Sequence, residues 1–300
     1  MIRNVAIIGL GLLGGSIGLA IEELAPEIAT TGYDRDPKTR SAAAKRSLVG
    51  TVCETANEAV ADADLVILCV PVGAMEDAAR EIADALPKSA IISDVGSSKQ
   101  SVGKALAKAL PYHTIIPAHP VAGTEQSGPD AGFSSLFTNR WCILTPAADA
   151  DNDAVHSLSD FWTKLGANVE VMDAEHHDLV LAVTSHIPHL IAFTIVGTAS
   201  DLEEVTRSEV IKYSAGGFRD FTRIAASDPV MWRDVFLSNK SAVLEMLGRF
   251  SEDLTALQRA IRSGDGDTLH ELFSRTRAIR RQVIEEGQDD DRPDFGREDH

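Results

Sequence analysis

The chain has 300 residues, 44% of them hydrophobic and 24% charged, with a formal net charge of −17; this is ordinary globular composition and enough length for two domains. The acidic balance excludes nucleic acid as a partner, because phosphates call for a basic face, and three scattered cysteines, Cys53, Cys69 and Cys142, exclude a disulfide scaffold or a zinc site. No apolar run is read as reaching the roughly 18–20 residues that span a bilayer, and the first residues lead straight into a strand rather than a signal peptide, so the expectation is a cytoplasmic protein with no membrane partner.

In chain order, strand-like runs at 4–8, 29–33, 65–70, 90–94 and 114–118 alternate with amphipathic helices, and 141–145 and 168–172 are expected to extend the same sheet. That alternation predicts a parallel sheet covered on both faces. The run Gly9-Leu10-Gly11-Leu12-Leu13-Gly14 follows the first strand and opens a helix. The first glycine permits a tight turn, the second lets the backbone approach a pyrophosphate, and the third lets helix and strand pack closely. Asp34 ends the second strand, about 20 positions on, where a carboxylate accepts hydrogen bonds from ribose hydroxyls and repels a 2′-phosphate. These features predict a Rossmann-type dinucleotide-binding domain over 1–173 with NAD as cofactor, although neighbouring Arg35 could soften the preference over NADP. Val70 and Pro71, at the end of the next β-run, are expected beside the middle of the cofactor.

Asp94-Val95-Gly96-Ser97-Ser98-Lys99 ends another strand, where Ser97 or Ser98 could cap the following helix. Next comes the loop His119-Pro120-Val121-Ala122-Gly123-Thr124-Glu125, stiffened by Gly128-Pro129 and Gly132. A histidine placed at the carboxyl end of such a sheet is a candidate acid–base group.

After Met172 the periodicity becomes helical. An all-helical domain is expected over 174–286, then an acidic disordered tail over 287–300; from Glu285 onward there are eight acids and two arginines. Val243, Leu247, Phe250, Leu254, Leu257 and Ile261 form a heptad-like seam that suits either an intrachain contact or a dimer. Ser185 and His189, four apart, share a helix face, and Asp178 is expected three turns away on that face. Pro188 cannot donate to the carbonyl of Thr184 and should kink the helix there.

Taken together, Gly9 to Gly14, Asp94 to Lys99, His119 to Glu125 with Gly128-Pro129, Thr184-Ser185-His186-Ile187-Pro188-His189, Gly216-Gly217-Phe218-Arg219-Asp220-Phe221-Thr222-Arg223 and Trp232-Arg233-Asp234 resemble the prephenate/arogenate (cyclohexadienyl) dehydrogenases of tyrosine biosynthesis. The resemblance covers nearly the whole chain up to the acidic tail. It implies NAD-dependent oxidative decarboxylation of prephenate, of arogenate or of both. His119 would be the catalytic acid–base group, and Ser97 would orient it or the nicotinamide. Arg223 would hold a substrate carboxylate, with Ser185, His189, Gly216 and Trp232 lining the pocket. Glu125, Asp178 and Arg219 would form an ionic gate at its mouth. A homodimer through the helical domain is expected.

Three other readings compete. His176, His177, Asp178, His186 and His189 could be a metal cluster of a His-Asp hydrolase, although that class needs no dinucleotide fingerprint, Pro188 disturbs the helical ligand spacing, and no metal is expected. A non-catalytic NAD sensor would not need His119, Ser97 and Arg223 together. A β-hydroxy-acid dehydrogenase would rely on a lysine, and none is expected near His119.

Overall fold

The computed structural model describes residues 2–124, 126–201, 209, 212–213 and 216–285. The nucleotide-binding part opens with β1 (Asn4–Ile8), α1 (Leu12–Leu24), β2 (Ala29–Tyr33), α2 (Pro37–Lys45), β3 (Thr51–Val52) and α3 (Ala56–Val60). It continues with β4 (Leu65–Leu68), α4 (Met75–Ile82), β5 (Ile91–Asp94), α5 (Gln100–Ala109) and β6 (Thr114–Ile115). The strands lie in the order β3-β2-β1-β4-β5-β6, and every neighbouring pair is parallel. This is the doubly wound order whose ligand crevice opens where the connections reverse, here between β1 and β4. Period-two alternation serves both faces. Ile7, Leu65 and Ile67 face one core with Ile17, Leu48 and Trp162. Ala6, Ile8, Val66 and Leu68 face the other with Met75, Ile82 and Leu106.

The expected strand at 114–118 is split, and 141–145 and 168–172 do not extend the main sheet. β7 (Ala118–Pro120), β8 (Trp141–Leu144) and β9 (Asn168–Val171) form a separate three-stranded sheet, with β7–β8 antiparallel and β8–β9 parallel. Pro117 explains the switch, because it has no N–H to continue the ladder. Ile116 N still donates to Ile92 O at 2.9 Å, whereas Thr145 N donates to Pro117 O at 2.9 Å. From there the chain pairs with β8 and carries His119 across the carboxyl end of β5. α6 (Asn152–Lys164) joins β8 to β9.

Beyond Val171 every described element is helical: α7 (Ala174–Leu181), α8 (Ile187–Ser200), α9 (Gly216–Thr222), α10 (Pro229–Ser238), α11 (Lys240–Ser263) and α12 (Gly266–Glu285). An α/β nucleotide-binding domain followed by an all-α domain is the expected fold class. Strands end close to the expected boundary at 173, yet compactness divides the chain later, into Met1–Leu244 and Glu245–His300. The reason lies in packing: α7 sits on α5, and α10 sits on the 3-10 turn Val72–Ala74.

Pro188 does not break its helix. One turn of π-helix, Ala182–His186, joins α7 to α8. The wider turn absorbs the missing donor, a device frequent at functional sites. Ala174–Ser200 therefore runs on as a single stretch long and apolar enough to cross a bilayer by length and composition, which corrects the expectation that no such run exists. Much of it is uncovered, with Val183, Ile195 and Val196 exposed, while His177, Asp178 and His186 on the same stretch are buried.

In the second unit Leu254, Ile261, Phe273 and Ile279 are exposed. Of the heptad-like seam, Leu254 at 48% and Ile261 at 67% exposure are left uncovered by the described residues, whereas Val243 at 5% is buried. The tail at 287–300 lies outside the described residues.

Candidate active site

The glycine turn has the shape its sequence predicts. Gly9 adopts φ +100°, and a Cβ there would stand 2.4 Å from Cys69 O, at the β4 end of the crevice. A Cβ on Gly14 would meet Gly9 O at 1.9 Å, whereas one on Gly11 would point into open space. Gly11 is the N-cap of α1 and supplies no side-chain cap. The first N–H groups of the helix, beginning with Leu12, Leu13 and Gly14, are therefore without a side-chain acceptor, as a phosphate-binding helix end requires. Val70 lies 3.2 Å from that Gly9 Cβ position, and Pro71 caps the turn Val72–Ala74 beside it. Asp34 anchors the loop: Oδ2 accepts from Leu10 N and Oδ1 from Asp36 N, both at 2.9 Å. These residues fit a dinucleotide.

His119 sits on β7 at 7% exposure, held from two sides. Its Nδ1 lies 2.9 Å from His177 Nε2, and His177 Nδ1 lies 2.9 Å from Asp178 Oδ1. Asp178 in turn accepts from Lys99 N at 2.7 Å and Gln100 N at 3.0 Å. It is Asp178, rather than Ser97 or Ser98, that caps α5, since Ser98 Oγ instead lies 2.7 Å from Ser238 Oγ. On the other side, the fully buried Lys99 Nζ donates to Asp94 Oδ2 at 2.5 Å and to Ala118 O at 2.6 Å. Asp94 also accepts from Gly96 N at 2.7 Å and Ala118 N at 3.2 Å. With both its oxygens accepting, Asp94 is an ionised carboxylate paired with a lysinium, although burial pushes its carboxyl up and the Lys99 amine down. Burial, helped by His177, Lys99 and His186, holds His119 well below the usual histidine range. The ring is therefore neutral at pH 7, as a proton acceptor must be.

The helical side brings a second group together. His189 stacks on Trp232, with ring centroids 3.7 Å apart and planes at 25°. Its Nδ1 bonds Ser185 O at 2.9 Å. Burial lowers His189, and the nearby Arg223 guanidinium lowers it further. His186 packs edge-on against Trp232; burial pushes it down to about 4. Asn239 Nδ2 donates to Asp178 O at 2.7 Å and lies 3.2 Å from His186 Nδ1, tying this group to the His119 network. Gly216 opens α9, and Arg223 opens the short 3-10 turn after it.

Residues 17–171 match the family described as prephenate dehydrogenase, nucleotide-binding domain, and residues 173–275 match prephenate dehydrogenase, dimerization domain. A cyclohexadienyl dehydrogenase of Zymomonas mobilis is 46% identical over 93% of this chain and 95% of its own length. A prephenate dehydrogenase of Bacillus subtilis is 33% identical over 92% of this chain and 75% of its own. The chain belongs to the prephenate dehydrogenase family. Among solved structures, the A. aeolicus prephenate dehydrogenase in complex with hydroxyphenyl propionate and NAD+ is similar with a TM-score of 0.88 and 31% identity, covering 94% of this chain and 99% of that one.

In this chain the residues expected to form the gate stand in different settings. Asp178 is 1% exposed and bonded to the start of α5, so it is an internal cap rather than a residue of the mouth. The π-turn Ala182–His186 lies between Asp178 and His189 and holds more residues per turn than an α-helix, so a face counted at 3.6 residues per turn does not carry through it. Arg219 is exposed and pairs with Asp220 at 3.5 Å. Glu125 lies outside the described residues. The expectation of no lysine near His119 is also corrected: Lys99, twenty positions earlier in sequence, reaches the carbonyl of the residue just before it. His177 carried a signal, the His176-His177-Asp178 run, that pointed toward metal. Both its ring nitrogens are instead taken by His119 and Asp178, which leaves none for a metal ion. Lys99 and Asp94 were visible only as the two ends of one strand-to-helix turn.

Proposed function

We propose that this chain oxidises and decarboxylates prephenate to 4-hydroxyphenylpyruvate with NAD, and that it also accepts arogenate, yielding tyrosine. His119 carries the reading: it is buried and neutral at the carboxyl end of a nucleotide-binding sheet, in a chain nearly half identical to a cyclohexadienyl dehydrogenase. NAD, when bound, supplies the hydride acceptor for the hydrogen on C4 of the substrate ring. His119 takes the C4 hydroxyl proton as that hydrogen leaves. The ring carboxylate then departs as carbon dioxide, its bonding pair completing the aromatic ring, and the proton returns to give the phenol. Ser97, half-buried three residues before α5, is assigned to orient His119 or the nicotinamide.

Arg223 is assigned to a substrate carboxylate, because a guanidinium binds one in two-point fashion. Ser185, His189, Gly216 and Trp232 line the rest of the pocket, with Arg219 toward the entrance. Asp34 favours NAD over NADP. The exposed Leu254 and Ile261 of the α11 seam, Phe273 and Ile279 of α12 and the exposed apolar residues of α8 support a homodimer through the helical domain; the enzyme is assigned to the cytoplasm.

Steady-state assays with prephenate and arogenate, each with NAD and NADP, test the reading. Turnover of prephenate with a large preference for NAD is expected; no turnover of either substrate would overturn it. In the same assay Arg223→Ala should raise the KM for prephenate by about 10- to 100-fold, the loss of a charge-assisted contact of about 1.5–3 kcal/mol, while the KM for NAD stays near the wild-type value. An unchanged prephenate KM would remove Arg223 from the site.

A further inference from the structure

We propose that His177 and Asp178 are positioning residues that fix the tautomer of His119, so that Nε2 is the atom that takes the substrate proton. The inference rests on the function proposed above and adds to it which nitrogen reacts and what holds it ready. It follows from donor and acceptor accounting along one chain of hydrogen bonds.

The chain starts at the first turn of α5. Lys99 N and Gln100 N both donate to Asp178, and backbone amides have no other role, so Asp178 is a carboxylate that only accepts. The contact of 2.9 Å between His177 Nδ1 and Asp178 Oδ1 therefore requires a proton on His177 Nδ1. A neutral His177 then has a lone pair on Nε2. The contact of 2.9 Å between His177 Nε2 and His119 Nδ1 in turn requires a proton on His119 Nδ1. A neutral His119 is left with its lone pair on Nε2, the one ring nitrogen not used by the network. Neither step has an alternative while both rings are neutral, and burial favours the neutral form of both.

The groups facing these rings reinforce the arrangement. Lys99 and His186 oppose positive charge on His119. Burial, the largest effect, and Lys99 oppose positive charge on His177 and outweigh Asp178 and Asp94, which favour it, so this ring is held below the usual histidine range and its Nε2 keeps a lone pair. The ring planes are twisted by 70° with centroids 5.1 Å apart, a separation that suits a 2.9 Å bond between one nitrogen at the edge of each ring. When His119 takes the substrate proton on Nε2, its Nδ1–H keeps donating to His177. The Asp178 carboxylate at the far end stabilises the cation that forms. A chain that sets the tautomer of a catalytic histidine through a buried carboxylate is the logic of the serine hydrolase triad, with a second histidine inserted here.

The test combines spectroscopy and kinetics on the full chain. Long-range proton–nitrogen spectra of histidine-labelled wild-type protein at neutral pH should show His119 with a protonated Nδ1 and an unprotonated Nε2. His177→Leu, which can accept nothing, should mix the tautomers and lower kcat by about 10²-fold, within the range of lost general-base alignment, with the KM for NAD near wild type. His177→Gln, whose amide oxygen can accept from Nδ1, should keep the tautomer and recover most of that loss. A wild-type His119 protonated on Nε2, or a folded His177→Leu enzyme of unaltered kcat, overturns the inference. Should His177→Leu fail to fold, the wild-type spectrum and His177→Gln still decide. If the wild-type protein turns over neither prephenate nor arogenate but shows the Nδ1–H tautomer, the function fails and the hydrogen-bond assignment stands.

Discussion

His119→Asn is expected to lower kcat by about 10²- to 10⁴-fold, the usual worth of a positioned general base. The affinity for NAD, measured by fluorescence titration, should stay near wild type, because the glycine turn and Asp34 follow β1 and β2, whereas His119 sits on β7. Near-wild-type turnover would show that another group takes the hydroxyl proton. The pH dependence carries the sign of the burial effect. His119 must be unprotonated to act, and its pKa is pushed below 6.5, first by burial and then by His177, Lys99 and His186. The acid limb of kcat/KM for the wild-type enzyme should therefore fall below pH 6.5, with a flat profile from there to neutral pH. A limb centred above 6.5 would contradict the environment seen around the ring.

The largest effect on stability is expected from Lys99→Met. The side chain is wholly buried and its ammonium is bound to Asp94 and to Ala118 O. Removing it leaves a buried carboxylate without its counter-charge, which destabilises proteins by about 3–5 kcal/mol. Chemical denaturation should show that loss. The double variant Lys99→Met with Asp94→Asn should recover part of it, because the uncompensated charge is gone, although Gly96 N and Ala118 N keep only one strong acceptor between them. A single variant as stable as wild type would mean that the pair is not formed in solution. Activity should fall more than stability alone explains, since Ala118 is the residue that carries His119.

The cofactor half was legible because its physics is local. Gly9, Gly11 and Gly14 are dictated by a turn, a phosphate approach and a helix–strand contact, all within six residues. Asp34 follows at a spacing that the β-α-β unit sets. The helical character of everything after Val171 was legible from periodicity. Three features were not. The second sheet depended on Pro117 ending one ladder and on a partner strand 25 residues away, and a run of apolar residues does not say which neighbour it will pair with. The π-turn before Pro188 changed the register, so a face counted at 3.6 residues per turn misplaced Asp178 relative to His189. Lys99 and His177 reach His119 from separate elements, and no sequence spacing encodes a contact that only packing brings about. His177 stood out only within a competing metal reading, and Asp178 was assigned to the gate. Only the occupancy of each nitrogen and oxygen decides between such roles.

Asp178 has a consequence for how this enzyme could be taken apart. The two halves named by the family descriptions meet at about residue 172, which suggests a natural place to cut or to exchange one half for that of a relative. A fragment ending there would keep the glycine turn and the whole parallel sheet. It would nevertheless lose the carboxylate on the first amides of α5 and the imidazole beside His119. The proposed base thus belongs to one module and the residues proposed to align it to the next. Chimeras within this family should join after the π-turn at His186, so that each His119 travels with the helix that orients it.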